Sequence, residues 1–166
     1  MLRPRQLAFA LPHDESFARE DFLEGPSNRA ALALIESWPD WPARTIALVG
    51  PHGSGKSHLA SIWAERTGAR FLSARALDID NLPPALATGA LVLEDIAIAE
   101  TDERTLFQLL NLAREDDAFL LLTAPTAPVG WTTRIRYLGS RLRAVPAVAL
   151  DAPDDSLLRS VLVKLF

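Results

Sequence analysis

A chain of 166 residues, 49% of them hydrophobic, suits one domain with an ample core, and its composition is not that of a disordered protein. The lack of cysteine excludes disulfides and thiolate metal sites, and a net charge of −4 supplies no global basic field to steer the chain onto nucleic acid. Apolar runs at 90–93 and 118–122 are far short of a membrane span, and Pro12, His13 and Asp14 interrupt the start too early for a secretion signal. A cytoplasmic globular protein is expected.

Residues 5–14, RQLAFALPHD, alternate apolar and other side chains as a short half-buried strand does, but the pattern does not say whether the strand pairs with its own sheet or with another molecule. Gly25-Pro26-Ser27-Asn28 is a turn in which Ser27 or Asn28 can cap a helix over 29–38. A buried strand follows in TIALVG (45–50), then a helix over 56–67 that Gly68 stops. Further strands are expected at 70–74, 90–95, 118–123 and 147–150. Between 90–95 and 118–123, residues 101–115 make an amphipathic helix with Leu106, Leu109, Leu110 and Ala113 on one face and Asp102 and Glu103 in the first turn. The Pro-rich stretches 38–42 and 81–84 read as punctuation inside a domain, and a capped helix begins within DAPDDSLLRSVLVKLF at the end of the chain. Strands alternating with helices imply an α/β fold: three αβα layers around a mostly five-stranded parallel sheet.

Gly50-Pro51-His52-Gly53-Ser54-Gly55-Lys56-Ser57 satisfies G-x-x-x-x-G-K-[ST], and it lies between a buried strand and a helix, as a phosphate-binding P-loop requires. Glycines let the main chain wrap a phosphate with its N–H groups, and the helix N-terminus adds a positive dipole end. Lys56 is expected on the β- and γ-phosphates of a nucleotide and Ser57 on Mg²⁺. Glu94 and Asp95 end an apolar strand at the sheet edge where ligands sit in open α/β folds, so they are the expected acids for the metal and the attacking water. His52 and His58 flank the lysine without a third ligand nearby and read as structural. Arg134, Arg136, Arg141 and Arg143 form the one basic cluster, which on its own reads as a solvated helix face.

Three stretches resemble the DnaA family of replication initiators. FAREDFLEGPSNRAALALI (17–35) is similar to the segment ahead of that family's P-loop; Gly55-Lys56-Ser57-His58-Leu59 matches its G-K-[ST]-H-L; and YLGSRLRA (137–144) resembles its Ser-Arg box. Residues 120–131 resemble the sensor I strand and the loop after it, with Thr123 at the sensor position. Within the family, the glutamine-led opening and the short overall plan are most similar to the Hda subfamily of regulators, in its α-proteobacterial form.

The resemblance implies an AAA+ nucleotide-binding domain over 15–150, preceded by a clamp-binding peptide in 1–14 and followed in 151–166 by the first helix of a truncated lid. It places Gln6, Leu7 and Phe9 on the sliding clamp of DNA polymerase III. ADP or ATP with Mg²⁺ would be held by Phe22, Gly25, Pro26 and Asn28 around the base and by Gly50, Gly53, Ser54, Gly55, Lys56, Ser57 and His58 around the phosphates. Ser57 and Glu94 would hold the metal, Asp95 the water, and Arg141 would act as an arginine finger on ATP bound to a neighbouring DnaA.

The implied role is a regulator that promotes hydrolysis of DnaA-bound ATP, without sequence-specific DNA binding or a membrane, and with self-association as a further possibility. The alternatives are a stand-alone P-loop ATPase or small-molecule kinase, and an adaptor whose nucleotide site is only structural. Two departures bear on this choice. Glu94-Asp95 reverses the usual Asp-first order, which points to weak hydrolysis by the chain itself. The chain also stops at Phe166, ahead of the remaining lid helices and their sensor II arginine, so apolar lid-facing surface is expected to be exposed.

Overall fold

The computed structural model describes residues 17–165. Five parallel strands, β1 (Thr45–Val49), β2 (Arg70–Ser73), β3 (Ala90–Glu94), β4 (Phe119–Ala124) and β5 (Ala147–Ala149), lie in the order β2-β3-β4-β1-β5. Every pairing is parallel, so each return to the sheet needs a crossover; α1 (Arg29–Glu36) precedes β1, and α2 (Lys56–Thr67), α3 (Leu82–Ala85), α4 (Glu103–Glu115) and α5 (Arg136–Arg143) lie between the strands in the chain. A last helix, α6 (Asp155–Leu165), follows β5. The α/β three-layer reading holds.

The two-residue period of the strands sorts their side chains into two cores. Ala47, Val49, Leu91, Leu93, Leu120 and Leu122 face Leu82 of α3, Leu106, Leu109 and Leu110 of α4, and Leu138 and Leu142 of α5. Ile46, Leu48, Val92 and Leu121 face Ala31, Leu32 and Ile35 of α1 and Leu59, Ala60 and Trp63 of α2. Because both faces are covered, the central strands are continuous apolar runs. At the N-terminal end of β4 an aromatic cluster closes the second core: Trp41 stacks on Trp63 with centroids 5.0 Å apart, and both Trp38 and Trp41 meet Phe119 edge-on.

Several local expectations need correction. Helix α1 ends at Glu36 rather than Trp38, and Asn28 stands at its N-cap without a side-chain cap bond. Instead Asn28 Oδ1 accepts from Gly25 N and its Nδ2 donates to Leu23 O, both at 2.9 Å, so the side chain knits the preceding turn. Asp102 is the N-cap of α4 rather than a first-turn residue, accepting from Arg104 N at 3.1 Å and Thr105 N at 3.4 Å. The Pro83-Pro84 stretch is helical, which proline tolerates in a first turn where its missing N–H is not needed.

Helix α6 packs back onto the segment before α1. Lys164 Nζ donates to Glu20 O at 3.0 Å and pairs with Asp21 at 3.3 Å, and the methyls of Leu157 lie against Gly25. Its other side leaves Leu158, Val161, Leu162 and Val163 exposed. Among the described residues no helix is long and apolar enough to cross a membrane.

Candidate nucleotide site

The loop between β1 and α2 takes its shape from its glycines. Gly53 and Gly55 have φ of 79° and 104°, left-handed values at which a side chain would be strained. Gly50 is required for a different reason: a Cβ there would lie 2.3 Å from the main-chain oxygen of Leu150, where β5 ends beside the loop. Gly55 is also the N-cap of α2, so the unbonded N–H groups of a twelve-residue helix open at the loop.

Within this cradle Ser54 Oγ is buried and has no hydrogen-bond partner among the described residues. Lys56 folds its amine back onto the carbonyl oxygens of Gly50 and Pro51, the latter at 2.9 Å. Burial holds the Lys56 amine below its ordinary pKa, partly offset by the charge of Asp95. A buried hydroxyl without a partner, and a desolvated ammonium resting on neutral carbonyls, are groups that an anionic phosphate would satisfy.

Strand parity brings the acid to the loop. Val92 faces the core that carries α2, so Glu94, two residues on, shares that face and lies close enough to Ser57 for the hydroxyl to act on its carboxyl. Burial raises the Glu94 carboxyl above its ordinary pKa, Asp95 beside it adds to the rise, and the Ser57 bond opposes it. Asp95 leaves the strand in the left-handed region at φ 58°. Its N–H donates to Thr123 Oγ1 at 3.0 Å, and the next N–H, of Ile96, donates to Thr123 O at 2.9 Å. Thr123, at the C-terminal end of β4, thus fixes the turn that presents both carboxylates. Oxygen donors from Ser57, Glu94 and Asp95 suit a hard cation such as Mg²⁺. The residues present therefore fit a Mg²⁺-nucleotide, whose phosphates would lie on the loop and Lys56; bound ATP would supply the scissile phosphoryl bond.

The segment ahead of α1 closes one side of the loop. The ring of Phe22 is buried and lies against Gly55, and His58 meets Phe17 and Phe22 edge-on at 5.5 and 5.0 Å. His58 Nε2 also contacts Ala18 O at 3.0 Å. The His58 ring therefore serves packing, and any phosphate contact from that position falls to its main chain. Gly25 and Asn28 are buried in the same segment, while Pro26 is exposed. Among the described residues no group of three or more His, Asp or Glu side chains forms that could hold a metal ion, so His52 and His58 belong to no such group. Gln6, Leu7 and Phe9 lie outside the described residues.

Arg141 stands apart from this cluster, on the last turn of α5. Its guanidinium bonds Asn111 Oδ1 and the Leu110 carbonyl, the latter at 3.0 Å, and lies 5.7 Å from the Phe107 ring. Burial, and then the charge of Arg114, lower its pKa. All of these partners are on α4, and among the described residues no carboxylate pairs with it. Sequence reasoning missed Phe107, Asn111 and Arg114, although their spacing of four and three residues marks one helix stripe.

No protein-family model matches the sequence, and no curated protein matches it. Solved structures do. Domain III of the Thermotoga maritima replication initiation protein DnaA matches over 90% of this chain and 72% of its own, at 18% identity and a TM-score of 0.68. AMPPCP-bound DnaA from Aquifex aeolicus matches over 90% and 54%, at 21% identity and a TM-score of 0.66. A katanin matches over 89% and 57%, at 15% identity and a TM-score of 0.61. The chain spans about half the length of the first initiator structures it matches, 55%, 53% and 54%. These likenesses show the fold: an α/β arrangement of the AAA+ type around a five-stranded parallel sheet. At these identities the resemblance is one of architecture, shared by an initiator and a katanin alike.

Proposed function

We propose that this chain is a DnaA-related regulator of the Hda type: it binds adenine nucleotide with Mg²⁺, engages the sliding clamp, and promotes hydrolysis of ATP held by DnaA. The observation that carries the trans-acting part is the state of Arg141. Among the described residues its guanidinium is held by neutral acceptors, beside a second arginine, so its charge is oriented but not compensated there. An arginine supplied across an interface stabilises charge on the transferring phosphoryl oxygens and is worth about 10³–10⁵ in rate. The reading of Gln6, Leu7 and Phe9 as a clamp-binding peptide is supported by their sequence pattern.

The Glu94-Asp95 order and the parked Lys56 support a chain that holds nucleotide, ADP above all, more than it turns it over. The test is release of labelled phosphate from ATP-loaded DnaA in the presence of clamp on DNA, with and without this chain. Stimulation that disappears with Arg141→Ala is expected; no stimulation by the wild-type chain rejects the reading. A self-contained ATPase is the competing reading, favoured by the Asp95–Thr123 arrangement within one chain. It requires turnover of ATP by this chain alone, insensitive to Arg141→Ala.

A further inference from the structure

Helix α5 begins without a cap of its own. Its N-cap is Ile135, whose side chain offers no oxygen to the unbonded N–H groups of that end. The acceptor comes from 32 residues away in sequence: Glu103 Oε1 takes the N–H of Arg134 at 2.7 Å and of Ile135 at 3.3 Å. Glu103 is also the first residue of α4, so one carboxylate stands at two helix N-termini, and both dipoles favour its charge. The far end of α5 is fastened to the same helix through Arg141, Asn111 and Leu110, and Leu138 and Leu142 fill the space between against the α4 leucines.

From this two-ended seat we infer that Glu103 is the positioning residue of Arg141. By accepting the N–H groups ahead of α5 it sets where that helix lies on α4, and hence where the guanidinium is presented. The inference rests on the proposed trans action of Arg141. Its expected size follows from geometry, since a misplacement of about 1 Å in a reacting constellation can cost about 10²-fold.

The test measures hydrolysis of DnaA-bound ATP in the presence of clamp, at increasing concentrations of the full chain carrying Glu103→Ala or Glu103→Gln. The alanine variant is expected to lower the maximal rate by about tenfold or more, within the range a misplaced group allows. Its half-saturating concentration and its own affinity for ADP should be unchanged. The glutamine variant keeps an oxygen that can accept both N–H groups and is expected to restore most of the maximal rate.

A merely structural role would instead lower the ADP affinity along with the rate, and that result overturns the inference. A full maximal rate in Glu103→Ala overturns the inference, and so does a glutamine variant that falls as far as alanine. Should the alanine variant not fold, Glu103→Asp carries the test, since it keeps the charge at α4 but is one methylene short of the α5 N–H groups; an undiminished maximal rate there also overturns it. Loss of stimulation in Arg141→Ala with none in the Glu103 variants removes only this inference, whereas full stimulation by Arg141→Ala removes the trans-activation reading as well.

Discussion

Thr123 Oγ1 accepts the N–H of Asp95 at 3.0 Å, so a side chain on β4 sets the conformation of the acid that follows β3. Thr123 is only 1% exposed, and Asp95 holds a left-handed φ that a free aspartate would seldom keep. Thr123→Val preserves shape and removes the acceptor, leaving a partly buried N–H unsatisfied at a cost of about 1–3 kcal/mol. The expected result is lower stability in urea unfolding and weaker Mg²⁺-dependent nucleotide binding, because both carboxylates lose their frame. Thr123→Ser keeps the oxygen and should behave close to wild type in the same two measurements.

Asn111 and Arg141 give a prediction in which stability and function part company. Asn111→Asp replaces a neutral acceptor by a carboxylate on the same atoms, and a charge-assisted bond is roughly twice as strong as a neutral one. The variant should melt at the same temperature as wild type or higher. It should nevertheless stimulate hydrolysis of DnaA-bound ATP far less, approaching Arg141→Ala, because the guanidinium charge is now compensated inside its own chain. A loss of about tenfold or more is expected from a finger worth 10³–10⁵. Thermal melts beside the phosphate-release assay check both halves.

The sheet was legible in the sequence because its central strands are continuous apolar runs, as a doubly covered sheet requires; the five strands expected between 45 and 150 fell within a residue or two of their positions. The glycine-rich turn between β1 and α2 was equally legible, since Gly53 and Gly55 answer to main-chain geometry that other residues rarely adopt. What the pattern did not carry is the direction of individual polar side chains. Asn28 could cap α1 or brace the turn before it, and both uses have the same local signature; the turn won because Gly25 N and Leu23 O lie within its reach. Glu103 showed only as a first-turn acid of α4 and Asn111 carried no signal at all, because their partners, at 134–135 and 141, meet them only after β4 has been crossed. Long-range polar contacts of this kind leave no periodic trace.

Asn28 itself is 4% exposed and serves two main-chain groups of one turn. Asn28→Ala strands the N–H of Gly25 and the carbonyl of Leu23, and a buried unsatisfied group costs about 1–3 kcal/mol. Asn28→Asp is no rescue: it retains an acceptor for Gly25 N but places a carboxylate oxygen against the Leu23 carbonyl. Both variants should lose stability by similar amounts in urea unfolding. Both should also bind ADP more weakly in calorimetry, because the turn they loosen carries Phe22 onto Gly55.

Glu94 gives a pH-dependent prediction whose sign can be worked out. Burial and the neighbouring Asp95 raise its pKa in the folded state, so between the ordinary glutamate value and the raised one the folded chain binds more protons than the unfolded chain. Stability there falls as pH rises, and above the raised value the protein carries a partly desolvated carboxylate beside a like charge. Glu94→Gln removes that penalty, so without nucleotide or Mg²⁺ it should melt somewhat higher than wild type at neutral pH and lose little of this advantage on going more alkaline. At acidic pH, below the ordinary glutamate value, the two should converge. With Mg²⁺ and nucleotide the order reverses. A divalent cation would relieve the same repulsion in wild type, and the glutamine variant should bind the Mg²⁺-nucleotide about tenfold or more weakly, the usual scale of loss around a metal site. Melting curves across pH, with and without Mg²⁺-ADP, test the sign: a variant less stable than wild type in the metal-free series would mean that the Glu94–Ser57 bond, and not repulsion, dominates this end of the sheet.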